Sequence, residues 1–415
     1  MRRLLLLLIS ALLVTGTLNA QVSTAQINGT IFDPNGAAVP KAQIVISNPA
    51  TGFSRTAMSG DTGGYALPFL PPGTYVLKIT APGFSTVTQT GITVRVGQVV
   101  TMNQTLKPGA VTEEITITGE APLIETGNSQ IGGSVSPTEV RELPIIDRNF
   151  AGLMTTIPGV RPAEAFDPTK TRSGNISING SDGRAVDYNV DGGDNKDNVI
   201  GGLVQNFTME GIQEFNVITN HYSAESGRSV AGIVNVVSKS GTNTLHGSAF
   251  GLFQTSSLFR TNFKEAQACK DEGISDVGRC KAKYHRQQFG GSIGGPILKD
   301  KLFFFGAYEH KREPGSMTAN AETNAELQTF ANATTGFPGA PYAVPVTTLP
   351  FPYKDHLLTV KVDHRISDKQ NMYYRYGRER WENPNDQLGS TSAPFTTDAS
   401  QTNSDINQFH DFTIG

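Results

Sequence analysis

Alternating apolar and polar positions run through most of the chain and predict β-strands over most of its length. Between residues 26 and 106, short alternating runs such as Ala42-Gln43-Ile44-Val45-Ile46 are separated by turn-forming residues such as Asp33-Pro34-Asn35-Gly36. About seven strands fit into this segment, which predicts a small β-sandwich.

From Thr244 onward, the alternation is typical of membrane strands. Leu358, Val360 and Val362 alternate with Thr359 and Lys361, so one face of the predicted strand is apolar and the other polar. About six such strands fit before the last residue.

The connections between these strands alternate between short and long. Short turns are predicted at 298–301 and 367–370, and long polar stretches at 257–284 and 313–352. Outer-membrane barrels are built in this way, with short periplasmic turns and longer outer loops.

The N-terminus has the layout of a secretory signal peptide, residues 1–20. A basic start at Arg2-Arg3 precedes an apolar run, and small residues end at Ala20. The alternative is a membrane anchor, but the run is shorter than the roughly 20 apolar residues that cross a bilayer. No later stretch is apolar enough for a membrane helix, which leaves a β-barrel as the way to span a membrane.

Composition and charge agree with an exported β-protein. The chain contains 44 glycines in 415 residues, and charged residues make up 17%. A usual soluble domain has about 25% charged residues. The net charge of −3 predicts no strong attraction to nucleic acid.

Two cysteines, Cys269 and Cys280, fall in the first predicted outer loop. In an exported chain they can form a disulfide that closes a short loop. A zinc site is the alternative, but it needs about four ligands, and the nearby His285 cannot supply the rest.

Two other groups of polar residues could be taken for metal sites. His310 and Glu313 have the H-x-x-E spacing of zinc carboxypeptidases, but no third ligand is placed by any motif. Asp191, Asp194 and Asp197 lie in a Gly-rich loop that lacks EF-hand spacing, so a solvated acidic turn is favoured over calcium binding. With no P-loop, dinucleotide fingerprint or nucleophile elbow either, we expect no enzyme, no metal and no cofactor.

Motifs in the first segment resemble a known domain family. Asp61-Thr62-Gly63-Gly64-Tyr65, Pro72-Gly73-Thr74-Tyr75 and Pro82-Gly83-Phe84 resemble the carboxypeptidase regulatory-like domain, a transthyretin-like sandwich. The resemblance implies an accessory module rather than a catalytic one. A spacer or folding role is favoured over carbohydrate binding, which some relatives of this fold show.

The middle segment resembles the plug of TonB-dependent receptors. The motifs follow in order: an opening run at 111–119, a helix started and stopped by prolines at 136–144, a helix leading to Pro-Gly-Val at 148–160, and a closing strand at 232–241. The later Gln288-Phe289-Gly290-Gly291 and Leu302-Phe303-Phe304-Phe305 add a resemblance to the Oar-like branch.

The resemblance implies a mainly β chain in four parts. These are a signal peptide (1–20), a regulatory-like β-sandwich (21–107), an α+β plug domain (108–241) and the first strands of an incomplete transmembrane β-barrel (242–415). The family closes its barrel with about 22 strands. About six fit here, so we expect the sequence to be the N-terminal part of a receptor.

The resemblance also implies partners and a location. An energy-coupling protein of the TonB type would contact an exposed strand at Glu113, Glu114, Ile115, Thr116 and Ile117 by edge addition, although an ordinary connecting strand is the alternative. Other expected partners are the barrel-assembly machinery, outer-membrane lipid and an unidentified substrate. We expect an outer-membrane receptor with a periplasmic N-terminal domain that imports its substrate; the alternative is a structural or adhesive protein without transport.

Overall fold

The structure is a computed structural model of the 415-residue chain. It describes residues 24–109, 114–118, 127–145, 148–163, 174–198, 201–223, 228–258, 285–313, 352–367, 370–386 and 403–414, with short pieces between 260 and 350. None of the helices in these residues is both long and apolar enough to cross a membrane. The predicted signal peptide lies outside the described residues.

The N-terminal sandwich consists of two sheets that bury a common apolar core. Its strands are β1 (Ala25–Phe32), β2 (Gln43–Asn48), β3 (Phe53–Met58), β4 (Gly64–Leu70), β5 (Gly73–Thr80), β6 (Thr86–Val94), β7 (Val99–Thr101) and β8 (Gln104–Thr105). One sheet has the order β4-β1-β7 with β8 also on β1, and the other begins β3-β2-β5-β6. The alternating inward residues, including Ile27, Ile44, Leu67, Tyr75 and Leu77, are fully buried between the sheets.

A further strand extends the second sheet of the sandwich. This strand, β9 (Glu114–Thr118), pairs with β6 in parallel, with Thr86 opposite Glu114 and Thr90 opposite Thr118. It is the last strand on that side of the sheet, whose full order is β3-β2-β5-β6-β9.

The plug is built on a separate mixed sheet, formed within residues 131–238. Its strands are β10 (Ile131–Val135), β13 (Val186–Val190), β14 (Gly193–Asp194), β15 (Ile212–Asn220) and β16 (Gly232–Ser238), in the order β10-β15-β16-β13-β14. A hairpin of β11 (Val160–Pro162) and β12 (Ile176–Ile178) lies beside it. Apolar side chains from the strands and helices form one core, which includes Phe150, Tyr188 and Phe215.

Two short helices of the plug begin where the sequence supplies caps. The helix α1 (Pro137–Glu142) starts with a capping box, in which the Ser136 side chain accepts from the Glu139 backbone and the Glu139 side chain accepts from the Ser136 backbone. The helix α2 (Phe150–Met154) begins at Asn149, whose side chain accepts from the Ala151 backbone. Both helices occur where the proline and polar signals predict them.

Six long antiparallel strands form the barrel sheet. They are β17 (His246–Thr255), β18 (His285–Leu298), β19 (Leu302–Glu313), β22 (Tyr353–Ser367), β23 (Gln370–Asp386) and β24 (Asn403–Ile414), paired in chain order. The short pair β20 (Ser316–Thr318) and β21 (Thr348–Pro350) forms a separate hairpin between β19 and β22. The number of strands and the two short turns agree with the alternation in the sequence.

The two faces of the barrel sheet differ as the period-two pattern predicts. On β22, Thr359 and Lys361 are buried on the side of the plug, whereas Val360 between them is 39% exposed. Apolar residues on the outward face, such as Ile293 and Tyr374, are likewise exposed. Such a surface suits contact with lipid, because the polar side chains are turned toward the plug.

Candidate functional site at the plug–barrel interface

The best-defined polar site of the plug is centred on Asp191, which directly follows β13. Its backbone has a positive φ of 49°, a conformation that Asp adopts more readily than most residues. The backbone N–H of Ser238 donates to its Oδ1 at 2.9 Å, and the Ser238 hydroxyl donates to its Oδ2 at 2.5 Å. The ends of two neighbouring plug strands thus fix this carboxylate in place.

Two cations of the barrel strands face the Asp191 carboxylate. Arg375 Nε of β23 lies 3.0 Å from Oδ2, and Lys361 Nζ of β22 lies 3.5 Å from Oδ1. Arg375 also pairs through Nη1 with Asp411 of β24 at 2.6 Å. Asp191 and Lys361 are 5% exposed and Arg375 1%, so water screens these attractions little. We call Asp191, Ser238, Lys361, Arg375 and Asp411 the latch.

The latch holds the plug carboxylate in its charged form. Burial alone would raise the pKa of Asp191, but Lys361, Arg375 and the two hydrogen bonds from Ser238 outweigh burial and lower the pKa below its usual value. At this point the plug is therefore joined to the barrel strands by a contact between charged groups.

A second ionic contact joins the plug to the barrel nearer the long connections. Arg148 of the plug lies 3.2 Å from Glu210 and 3.8 Å from Glu309 of β19, and its guanidinium stacks on the ring of Phe250, 4.0 Å from the centroid. The Thr208 hydroxyl donates to Glu309 Oε2 at 2.9 Å.

A cavity of about 590 Å³ lies beside this second contact. The plug supplies Arg148, Asn206 and Phe207 to its wall, and the barrel strands supply Gln288, Glu309, Lys311, Tyr353, Asp355 and Leu357. Several of these barrel residues lie close to the strand ends at Glu313 and Tyr353, where the long connections begin. Charged groups of both signs and aromatic rings line the cavity, so it suits a polar ligand of mixed character.

The sandwich contacts the plug through a buried glutamate. The backbone N–H of Val96 donates to Glu214 Oε1 of β15 at 2.5 Å, and Glu214 is 3% exposed. Burial raises the pKa of Glu214 to about 7, although the Val96 hydrogen bond and the charge of Arg95 oppose this. This carboxyl group therefore titrates in the range of neutral pH.

The sandwich also contacts the barrel strands at the end with short turns. The backbone N–H of Asn243 donates to the carbonyl of Ala50 at 2.8 Å, and Arg365 at the end of β22 donates to the carbonyl of Gly52. The sandwich thus lies at the opposite end of the strands from the 590 Å³ cavity. By the rule that short turns are periplasmic, this is the periplasmic end.

The predicted site residues have different outcomes. Glu114, Ile115, Thr116 and Ile117 form part of β9, whereas Glu113 lies outside the described residues. Cys269 and Cys280 also lie outside them, so their pairing stays a prediction.

The two apparent metal motifs have other structural roles. His310 and Glu313 lie three positions apart on β19 and therefore face opposite sides of the sheet. Glu313 pairs with Arg286 and Lys311. No cluster able to hold a metal ion occurs in the described part of the chain. The prediction of a solvated acidic turn was wrong for Asp191, because long-range pairing buries it in the latch.

The prediction describes Asp194 better. This second aspartate of the Gly-rich loop is partly exposed, and its carboxylate lies 2.5 Å from the guanidinium of Arg228.

Two parts of the chain match models of known protein families. Residues 26–107 match the model of the carboxypeptidase regulatory-like domain, and residues 237–356 match that of an outer membrane beta barrel domain. The chain is 30% identical over 322 residues to the TonB-dependent transporter Oar of Myxococcus xanthus. The chain is therefore homologous to a TonB-dependent transporter. The match covers 74% of this chain and 29% of Oar, so the chain spans less than a third of the length of that relative.

The solved structures that match part of the chain include a transporter and a receptor. The outer membrane transporter YddB from Escherichia coli is 12% identical with a TM-score of 0.45, covering 61% of this receptor chain and 33% of YddB. The siderophore receptor PirA from Acinetobacter baumannii is 13% identical with a TM-score of 0.44, covering 68% and 37%.

The similarity to Oar and the barrel-domain match place the receptor chain in the outer membrane. The matched relatives are transporters and receptors, not enzymes.

Proposed function

We propose that the chain forms part of a receptor that binds a polar substrate on its outer side and imports it when a periplasmic partner pulls on the plug. The single observation that carries this function is the latch. Among the described residues, the apolar core of the plug includes no barrel residue, and buried ion pairs join the plug to the inner face of the barrel strands.

The nature of the latch suits a plug that must move. Buried ion pairs have a precise geometry, and their attraction falls steeply once water enters. A force that shifts β13 relative to β22 and β23 would admit water and weaken all latch contacts together. By contrast, the attraction across an apolar interface of similar size is non-directional, so it would not fix the seated position of the plug as precisely.

The 590 Å³ cavity is the proposed entry point of the substrate. It lies between plug and barrel at the end of the strands with long connections. Because Arg148 and Glu309 belong to both the cavity wall and the second ionic contact, a ligand that binds there would change a contact between plug and barrel.

We assign β9 as the strand that the periplasmic partner captures. It lies between sandwich and plug along the chain, and its alternating sequence suits strand addition. The partner would be a TonB-type protein, as the name of the transporter Oar implies for that relative. Because β9 then opens the plug, we propose the same three domains as the sequence predicts: sandwich (21–107), plug (108–241) and barrel (242–415).

A pull-down with the periplasmic domain of TonB tests this function. The purified receptor should be captured, Ile117→Ala should be captured nearly as well, and Ile117→Pro should lose capture. Strand addition depends on backbone N–H groups, which proline lacks, more than on one side chain. Failure to capture the unaltered receptor would favour the structural or adhesive alternative, and equal capture of Ile117→Pro would exclude β9 as the contact.

A further inference from the structure

The position of β9 has a consequence for how the receptor accepts its partner. The matched regulatory-like domain ends at residue 107, and its eight strands already form both sheets of the sandwich. β9 begins seven residues later and is added to the edge of the second sheet. The strand β9 therefore belongs to the start of the plug segment along the chain, but it pairs with the sandwich.

The pairing between β9 and β6 differs from the rest of its sheet. β3, β2, β5 and β6 pair antiparallel with one another, whereas β9 pairs with β6 in parallel. Parallel pairing is slightly less stable per residue, and this ladder is only five residue pairs long. A short parallel strand at a sheet edge can leave without disturbing the core of the sandwich.

The chain leading to β9 is fixed to the same sheet. The backbone N–H of Ser85 donates to the carbonyl of Lys107 at 2.9 Å, and the N–H of Gly109 donates to the carbonyl of Gly83 at 3.3 Å. These bonds, just before β6, hold the root of β9 beside its docking edge. A released β9 would therefore stay close to β6 and could rebind.

While β9 is docked, a pull on it is also a pull on the sandwich. The sandwich is bonded to the plug through Val96 and Glu214, and to the barrel end through Ala50 and Asn243. Part of any force would pass through these contacts to the barrel strands. Once β9 has left β6, the force no longer has to act on the β6–β9 ladder, and tension passes directly along the chain from β9 toward β10 and the latch.

We propose that β6 and the periplasmic partner compete for β9, so that the sandwich stores the coupling strand and controls when the receptor can be pulled. This inference rests on the proposed function, because it takes β9 to be the strand that the partner captures. The sandwich then acts as an autoinhibitory module as well as a spacer. The occupant of the docking edge in the resting receptor is the receptor's own β9.

A disulfide across the pair tests the competition. Thr88 and Thr116 are register partners in β6 and β9, and neither is buried. The variant Thr88→Cys/Thr116→Cys is made with Cys269→Ser and Cys280→Ser, so that no other thiol can exchange. The matched control is Thr74→Cys/Thr93→Cys, which joins the exposed register partners of β5 and β6 and leaves β9 free.

Capture by the periplasmic domain of TonB is measured before and after reduction. We expect the oxidised β6–β9 variant to lose capture at least tenfold and to regain it when reduced, while the control pair is captured equally in both states. Equal capture of the oxidised and reduced β6–β9 variant would overturn the storage role and leave the proposed function intact, because the partner would then add to the free edge of β9. No capture of any form, including the unaltered receptor, would overturn both.

Discussion

The substitution Asp191→Asn tests whether the latch holds the plug. It keeps the shape of the side chain and removes the charge that faces Lys361 and Arg375. Removing one partner of a buried ion pair costs about 3–5 kcal/mol. Because Arg375 retains Asp411 at 2.6 Å, we take the lower end of that range, about 3 kcal/mol.

Hydrogen exchange of backbone amides measures this loss. Every 1.4 kcal/mol corresponds to about a tenfold change in an equilibrium constant, so amides of β13 and β16 should exchange roughly 100-fold faster in Asp191→Asn. The matched control is Asp194→Asn in the same loop. Its ion pair with Arg228 is partly exposed and contributes about 0.2–1 kcal/mol, so exchange should change only a few-fold.

The dependence on pH provides a second check of the latch. Because the pKa of Asp191 is lowered in the folded receptor, its stabilisation is present above its ordinary pKa and is lost as the pH falls through the lowered value. Asp191→Asn should remove this part of the acid sensitivity of β13 and β16. If Asp191→Asn and Asp194→Asn exchange equally, or if Asp191→Asn exchanges like the unaltered receptor, the latch does not hold the plug.

Three further predictions concern other contacts. Because burial raises the pKa of Glu214 to about 7, the contribution of this carboxyl group to the stability of the folded receptor should be greatest below pH 4.5 and lost as the pH rises through about 7, when a charge must be buried. Proteolysis of the sandwich–plug junction should increase over this pH range, and the dependence should vanish in Glu214→Gln. Ser136→Ala should destabilise α1 by about 1 kcal/mol through loss of the capping box, seen as faster exchange of its first amides; unchanged exchange would show that the cap contributes nothing. Glu379→Gln should weaken the charge-assisted hydrogen bond at 2.7 Å from the Asn206 backbone by about 1–2 kcal/mol, with roughly tenfold faster exchange of that amide than in the unaltered receptor; an unchanged exchange rate would contradict this.

The sequence predicts those features of the fold that depend on local pattern. The period-two alternation around Leu358 to Val362 locates a barrel strand and identifies its two faces, because each residue's side follows from its neighbours. The capping signals at Ser136 and Asn149 likewise fix the starts of α1 and α2 from a few adjacent residues. The strands of the structure confirm the mainly β class, and the matches to Oar and to the barrel domain confirm the relation to outer-membrane receptors.

The latch could not be predicted in the same way. Asp191 lies in a loop with Asp194, Asp197 and several glycines, which locally indicates a solvated turn. Its partner Lys361 lies 170 residues further along the chain. Only the packing of the plug against β22 and β23 brings them together, and no local pattern encodes that arrangement. The one usable signal was that Lys361 and Arg375 fall on the inward face of their strands, where a buried cation needs an anion.

The docking of β9 shows the same limit. Alternating β-branched residues predict a strand at 111–118, but the pattern does not specify which edge receives it. The parallel pairing with β6 depends on the return of the chain through β7 and β8, which belong to the other sheet. Strand identity is local, whereas strand partnership is set by topology.

Labelling of a plug cysteine in living cells tests most directly whether this receptor has an energy-coupled plug. Thr208 of the plug is fully buried and its hydroxyl donates to Glu309 of β19, so Thr208→Cys should be closed to a water-soluble maleimide while the plug is seated. Leu258→Cys, at an exposed position beyond the outer end of β17, is the control that should react under all conditions. We expect Thr208→Cys to be labelled during substrate uptake in cells with TonB and an energised inner membrane, and to stay unlabelled when TonB is deleted or the membrane is uncoupled. Equal labelling with and without TonB would contradict an energy-coupled plug.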